Sequence, residues 1–484
     1  MPLADDPARL LLDEQPEPLE AGTPKAQRHS DHRGADSGEP FGMLRTCMLI
    51  ILSLFACDPS APAAPTAEPD VDGPIDVGPL DALLSSTEPI PVAIEDLDEH
   101  EEALWQRYLQ EQSVDPARLA EHEGKAITQA GKTMRYSIEV IGERPEQGYP
   151  LYIALHGGGG APAEVNDAQW TAMQSYYADS VTSGVYVAPR GITDEWNLHF
   201  DDASYALYDR LIENLILLEG VDADRVYLLG FSAGGDGVYQ IAPRMADRFA
   251  AVSMSAGHDN GVPPDNLYRL PILLQMGEKD DAYARNAAVV AFSAKLDALH
   301  TAHPEGYSHD LFMHLDGGHS GPWSDHDATS QPYTILQDPA AALAGGERAT
   351  ALQDTSAVAW LSRHIRSARP DQVIWDHETT APGRTPTWYW IESADGARVE
   401  VEIVRRDNAV VIHASGDALK VMLNHRMLDL RRPITITSGE QSLSVSVTPD
   451  LRVMTETLAL RGDPAMIFSV VIDLVRVDGV WTVR

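Results

Sequence analysis

The feature that most constrains this chain is a serine set between glycines where a strand gives way to a helix. Gly230-Phe231-Ser232-Ala233-Gly234 follows the apolar run Arg225-Val226-Tyr227-Leu228-Leu229 and precedes a segment, Gly235 to Met245, that reads as helix. A turn this sharp puts its apex residue in a strained backbone, and side chains two positions to either side would collide, which glycine avoids. The helix that follows aims its first N–H groups at the apex, where negative charge would develop on a substrate attacked by the serine. Such a turn belongs to a layered architecture of alternating strands and helices.

The rest of the pattern agrees. Leu151-Tyr152-Ile153-Ala154-Leu155 reads as a fully buried strand and runs into His156-Gly157-Gly158-Gly159-Gly160. A glycine run at the C-terminal end of a strand can turn backbone N–H groups toward a carbonyl oxygen, so Gly157, Gly158 and the N–H of Ala233 are the expected oxyanion donors. Pro271 to Met276 reads as a later strand, ending in Gly277-Glu278-Lys279-Asp280-Asp281. Asp280 is the expected acid, with Asp281 the neighbouring alternative. His309 to Leu315 alternates as a strand and opens into Asp316-Gly317-Gly318-His319-Ser320-Gly321, which makes His319 the expected base. His314, His326 and His364 are the competing histidines. A serine hydroxyl is a poor nucleophile at neutral pH; His319 would take its proton, and Asp280 would fix the imidazole tautomer and stabilise the imidazolium. Nothing in this scheme calls for a cofactor or a metal: there is no H-E-x-x-H, cysteine pair or spaced carboxylate cluster.

Lys132 to Ile141, Gly184 to Ala188 and Phe249 to Met254 read as further strands; Ala168 to Tyr177, Ala203 to Leu218, Asp281 to Leu299 and Ala357 to Ser367 read as helices. The alternation predicts an α/β fold, a mostly parallel sheet with helices on both faces. Arg190, Trp196 and Asn197 follow a strand end. They contact substrate in one reading; in the other Trp196 packs a loop and Arg190 pairs with an acid. Tyr283 and Trp323 flank the acid and base loops, as packing residues. The stretch from His319 to Thr355 reads as an irregular rim.

The 484 residues leave room for two or three domains. A net charge of −37 disfavours nucleic acid and anionic lipid surfaces as partners, and no protein partner is implied. Both cysteines, Cys47 and Cys57, lie in one short apolar segment, so no disulfide framework is expected. Met43-Leu44-Arg45, an apolar core from Thr46 to Ala56 and Leu54-Phe55-Ala56-Cys57 resemble a bacterial lipoprotein signal over 43–57, in which Cys57 becomes the lipidated N-terminus. That resemblance implies a lipid anchor in a bacterial cell envelope, facing periplasm or cell surface. Residues 58–92, rich in Pro, Ala and acids, are the expected tether. Residues 1–42 are polar and are expected to be a disordered tail or a start codon placed too early. The other reading of the apolar segment is a buried helix.

Helical spacing from Ile94 to Gln112, with a second helix from Asp115-Pro116, opens a catalytic domain expected over 93–370. From 380 to 484, short β-branched runs between Gly, Asp and Asn turns predict a small all-β domain with no helix, outside the chemical machinery. On that reading a chain cut near Pro382 keeps turnover on a small ester, provided it folds. Trp388, Tyr389 and Trp390 are placed to cover apolar surface of the catalytic domain.

Tyr152 to Trp323 is similar to the α/β-hydrolase esterases related to poly(3-hydroxybutyrate) depolymerases, feruloyl esterases and the "predicted peptidase" group. The likeness rests on Leu155-His156-Gly157-Gly158-Gly159, Ala188-Pro189-Arg190-Gly191, Asp224-Arg225-Val226-Tyr227, Gly230 to Gly235 and Arg248 to Val252. Members more often carry Met where Ala233 stands, a departure that leaves the backbone donor intact. The tail, with Trp388-Tyr389-Trp390 and Val421 to Asn424, resembles modules appended to such hydrolases. The family implies ester or amide hydrolysis through an acyl-enzyme, with a small or polymeric ester as substrate. The alternatives are a serine peptidase of prolyl-oligopeptidase type, for which no propeller repeat precedes the catalytic domain, and a non-catalytic binding protein on a hydrolase scaffold.

Overall fold

A computed structural model describes residues 75–321, 332–353 and 355–484. It opens with helices α1 (Leu80–Leu84), α2 (Leu97–Gln112) and α3 (Pro116–Gly124). The central sheet contains β1 (Ala126–Gln129), β2 (Lys132–Ile141), β3 (Tyr149–Leu155), β4 (Gly184–Pro189), β5 (Val221–Phe231), β6 (Ala251–Ser255), β7 (Ile272–Gly277), β8 (His309–His314), β9 (Tyr333–Leu336) and β10 (Thr350–Gln353). Their order is β1-β2-β4-β3-β5-β6-β7-β8-β9-β10. Strands β3 to β8 pair in parallel, and β2 runs antiparallel to β1 and β4. With its helical layers this is the α/β-hydrolase architecture.

The parallel strands read as unbroken apolar runs because both faces are covered. Side chains alternate between two cores. Tyr152 and Ala154 of β3 face one side with α4 (Ala163–Tyr176), whereas Leu151, Ile153 and Leu155 face the other with α5 (Ser204–Glu219), α6 (Ala233–Ile241) and α7 (Arg285–Ala302). Beyond β8 the expected irregular rim is in fact ordered over 332–353. There β9, α8 (Pro339–Leu343) and β10 extend the sheet, and α9 (Ala357–Leu361) follows. Tyr333 and Thr350 begin four-residue strands, too short for their alternation to stand out in the sequence.

The C-terminal residues form two further sheets. One has the order β11 (Gln372–Asp376), β14 (Arg398–Val404), β15 (Ala409–Ala414), β17 (Ile434–Ser438), β18 (Gln441–Val445). The other has the order β12 (Thr387–Trp388), β13 (Ile391–Glu392), β16 (Ala418–Leu423), β19 (Val470–Val477), β20 (Val480–Val483). All their pairings are antiparallel except β15 with β17. One helix, α10 (Leu451–Arg461), corrects the expectation that this region has none. Asp450 caps it through the Arg452 N–H, Gly462 ends it in the left-handed conformation, and Leu451, Met454, Thr455 and Leu458 give it a buried stripe.

The N-terminal stretch is also corrected in part. Of the expected tether, 75–92 is folded: Val77, Leu80, Leu83 and Val92 are buried, Val92 donates to the Pro449 carbonyl (3.0 Å), and the Ile90 N–H donates to Asp450 Oδ1 (3.0 Å). These spaced apolar side chains have a surface to bury against, which a solvated tether would lack. Cys47, Cys57 and the rest of 1–74 lie outside the described residues, as do Trp323 and His326.

The C-terminal sheets share the core of the α5/α6/α7 face. Trp388, Tyr389 and Trp390 are buried, and the Tyr389 hydroxyl donates to the Ala246 carbonyl (3.2 Å). The junction is ionic as well. Arg461 pairs with Asp247, Arg384 with Asp209, and Arg366 with both Asp463 (2.7 Å) and Asp224 (2.8 Å). Arg248 binds Asp209 (2.6 Å) and donates to the Arg461 carbonyl (2.8 Å). Burial alone would raise Asp247, Asp209 and Asp463, but the surrounding arginines outweigh it and hold all three carboxyls below their ordinary range. Burial prevails at Glu213 and Asp224, which are raised.

Candidate active site

Ser232 sits at the N-cap of α6 with φ 58° and ψ −121°. The flanking glycines are a steric requirement. A Cβ on Gly230 would lie 2.3 Å from the Gly234 carbonyl oxygen, and one on Gly234 would lie 2.0 Å from that of Leu155. A backbone of this kind in a non-glycine residue costs about 1–3 kcal/mol and persists only where its surroundings hold it. Here the Ser232 N–H donates to Ser255 O (3.0 Å) and the Asp236 N–H to Ser232 O (3.0 Å).

Three sequence-predicted residues come together. His319 Nε2 lies 2.9 Å from Ser232 Oγ, and His319 Nδ1 lies 2.8 Å from Asp280 Oδ2. The carboxylate can only accept, so Nδ1 carries the proton and Nε2 presents a lone pair to the hydroxyl. The Phe231 ring packs 5.3 Å from the imidazole, which is partly exposed, while the Asp280 side chain is 1% exposed. Asp281 is exposed. His314 is buried, with Nε2 3.2 Å from Gln275 Oε1 and a pKa pushed down to about 3 by burial. His364 packs on Trp360 at 4.4 Å.

The glycine loop lies beside the serine. The position of a Cβ on Gly157 is 3.4 Å from Ser232 Cβ, and that on Gly159 is 3.4 Å from Ala233 Cβ. Gly158 has φ 103°, and a side chain there would meet Asn166 Oδ1 at 2.3 Å. Asn166, fully buried, accepts from the Gly159 N–H (2.9 Å) and donates to Ala161 O (3.0 Å) and Asp194 (2.9 Å). His156 donates from Nδ1 to Gly157 O (2.6 Å) and accepts at Nε2 from the Gly191 N–H (3.0 Å), while His199 donates to the His156 carbonyl (2.9 Å). Burial pushes His156 down to about 4 and His199 well below its usual value, so both stay neutral and keep these bonds through the physiological range.

Arg190 is buried. It pairs with Asp167 (2.8 Å) and Asp194, and donates to the carbonyls of Gly191 (2.8 Å) and Thr193 (3.0 Å). Its guanidinium is thus occupied in holding the loop that carries Trp196. The Asn197 carbonyl accepts from the Phe200 N–H (2.8 Å). Trp196 lies against Gly160, where a Cβ would be 2.6 Å from its ring, yet is 49% exposed. Tyr283, 60% exposed, meets it with ring centroids 6.2 Å apart. The two rings form an aromatic rim from the glycine loop to the acid loop.

Sequence reasoning missed Asn166, His199 and Arg285. Arg285 Nη1 donates to Asp280 Oδ1 (3.0 Å), the carboxylate oxygen that His319 leaves free. Its only signal was a cation five residues after the acid. Asn166 and His199 gave none, since each meets its partner through the tertiary fold.

No protein-family model matches the chain. A protein of Nocardia uniformis subsp. tsuyamanensis named "Putative esterase NocK" is 28% identical over 179 residues, 34% of this chain and 50% of the relative. The chain therefore spans about half the length of that relative. Among solved structures, LpqC, a poly(3-hydroxybutyrate) depolymerase from Bordetella parapertussis, is 19% identical, covering 45% of this chain and 91% of its own, with a TM-score of 0.33. Est1E from Butyrivibrio proteoclasticus is 16% identical, covering 40% and 89%, with a TM-score of 0.28. A structure described as a putative dipeptidyl aminopeptidase IV from Bacteroides ovatus is 17% identical, covering 40% and 32%, with a TM-score of 0.29. With its own strand order and this esterase relative, the chain resembles the esterases of α/β-hydrolase fold.

Proposed function

We propose that the protein is a serine hydrolase, a carboxylesterase acting through an acyl-enzyme. The observation that carries the reading is the relay from Asp280 to His319 to Ser232, with contacts of 2.8 and 2.9 Å. In this mechanism His319 Nε2 takes the Ser232 proton as Oγ attacks the ester carbonyl. The Ala233 N–H and glycine-loop amides stabilise the resulting oxyanion, each such donor being worth about 3 kcal/mol. His319 then protonates the leaving alcohol, and water, activated by the same imidazole, releases the acid. Asp280 keeps the ring in the working tautomer throughout.

The test is an ester panel of graded acyl length, with fluorophosphonate labelling. Ser232→Ala is expected to lose labelling and to lower turnover by about 10³-fold or more while melting no lower than wild type. A folded Ser232→Ala protein that keeps most of its activity would refute the assignment. The lipid anchor at Cys57 and the envelope location belong to the same proposal. Labelled fatty acid should enter the wild-type protein in a bacterial host and not Cys57→Ser.

A further inference from the structure

The reading of Ser232, His319 and Asp280 as a triad leaves Arg285 without an assigned role. Arg285 is the first residue of α7, and its side chain is 13% exposed. A cation in the first turn of a helix opposes the helix dipole, so helix stability does not account for it. The two residues before it, Tyr283 and Ala284, both adopt left-handed backbones (φ 55° and 56°). Two consecutive non-glycine residues in that region are strained and mark a turn fixed by its contacts. The turn delivers the guanidinium to Asp280 Oδ1 at 3.0 Å and sets the Tyr283 ring against it at 5.0 Å. Arg285 Nη1 also comes within 3.4 Å of His319 Nδ1. That nitrogen already donates its proton to Asp280, so the approach places a positive charge beside the ring.

We propose that Arg285 is a positioning residue for the triad: it pins the buried Asp280 carboxylate in register with His319 and sets a fixed positive charge beside the imidazole. The groups facing it are Asp280 and Tyr283 from the loop after β7, His319 from the loop after β8, and Asp236 from α6. Asp236 is engaged by the His258 N–H (2.7 Å) and Asn260 (3.1 Å). Asp280 orients the imidazole only while its own carboxylate is held, and Arg285 grips the oxygen that His319 does not use. Without that grip the carboxylate and the ring lose their fixed alignment on Ser232, which slows the chemical step rather than ester binding.

The experiment compares kcat and KM for wild type, Arg285→Gln and Arg285→Lys on one soluble ester at a single pH. Circular dichroism, melting and fluorophosphonate labelling run alongside. Arg285→Gln should lower kcat about tenfold with KM within about threefold, because the loss falls on the reacting geometry and not on ester binding. Arg285→Lys keeps a cationic donor for Asp280 but not the fork, so its kcat should fall between those of wild type and Arg285→Gln. A folded Arg285→Gln protein with wild-type kcat, or one whose loss falls on KM alone, overturns the role. Undiminished labelling and activity in Ser232→Ala would overturn the triad itself, an outcome the Arg285 kinetics alone would not produce.

Discussion

Arginine serves two regions of this molecule differently. In the candidate active site the Arg285 guanidinium binds the buried Asp280 carboxylate, beside a His319 that remains partly exposed to solvent. At the junction with the C-terminal sheets, Arg248, Arg366, Arg384 and Arg461 interleave with Asp209, Asp247 and Asp463, with almost no access to water. The first arrangement holds the groups proposed to react. The second makes separation costly, because parting the surfaces exposes or strands several charges at once. The C-terminal sheets are therefore bound into the fold. The aromatic cover by Trp388, Tyr389 and Trp390 is readable in the sequence; the ion pairs beside it are not.

The largest expected effect tests that junction. A chain ending near Pro382 lacks Arg384, Arg461 and Asp463 and uncovers the surface beneath Trp388, Tyr389 and Trp390. It should aggregate or fail to fold, whatever its triad could do. A milder probe is Arg461→Met, which deprives buried Asp247 of its closest partner and should cost about 3–5 kcal/mol in urea denaturation. Adding Asp247→Asn should recover part of that loss, since the pair is coupled. A soluble truncation with a native melt and full ester turnover would restore the independent-domain reading.

Acid should loosen the same junction. Asp209, Asp247 and Asp463 have folded pKa values below their unfolded ones. Their contribution is fully present above the unfolded carboxylate value of about 3.9 and is lost as pH falls through the depressed folded values. Glu213 and Asp224 are raised and carry the opposite sign: their contribution is present below about pH 4 and fades as pH rises through the folded values. With the depressed group dominating, melting temperature should fall steeply below about pH 4, and less so in the Asp247→Asn/Arg461→Met protein. Equal melting at pH 5 and pH 3 would show that the network contributes little.

The site was more legible in the sequence than the junction, for physical reasons. Gly230 and Gly234 are glycines because a backbone atom occupies the space a side chain would take. Steric need of that kind leaves a local mark, and the acid and base sit at strand ends that periodicity can find. Arg461 and Asp247 leave none: 214 positions separate them, and each alone looks like an ordinary surface charge. Helix α10 was half legible, since Asp450 and Gly462 bracket it as caps. Its Val453, Thr455 and Thr457 favour strands, and burial against α1 and α2 overrode that preference.

The smallest expected effect belongs to the rim and sharpens the contrast from the other side. Trp196 and Tyr283 are large aromatic side chains left exposed where the glycine loop and the acid loop meet. Unlike Trp388 and Trp390, they bury little against the protein, so removing one should barely lower the melting temperature. Contact with a bound ester is where their area can count. An aromatic contact is worth about 1 kcal/mol, a few-fold in affinity. Trp196→Ala should therefore raise KM a few-fold for esters with a bulky acyl or alcohol group and leave short acetates near wild type. Tyr283→Ala should act similarly, with an added loss of kcat if its ring steadies Arg285 over Asp280. A uniform fall in kcat/KM across the panel would place Trp196 in support of the glycine loop instead, because a displaced oxyanion loop slows every ester alike.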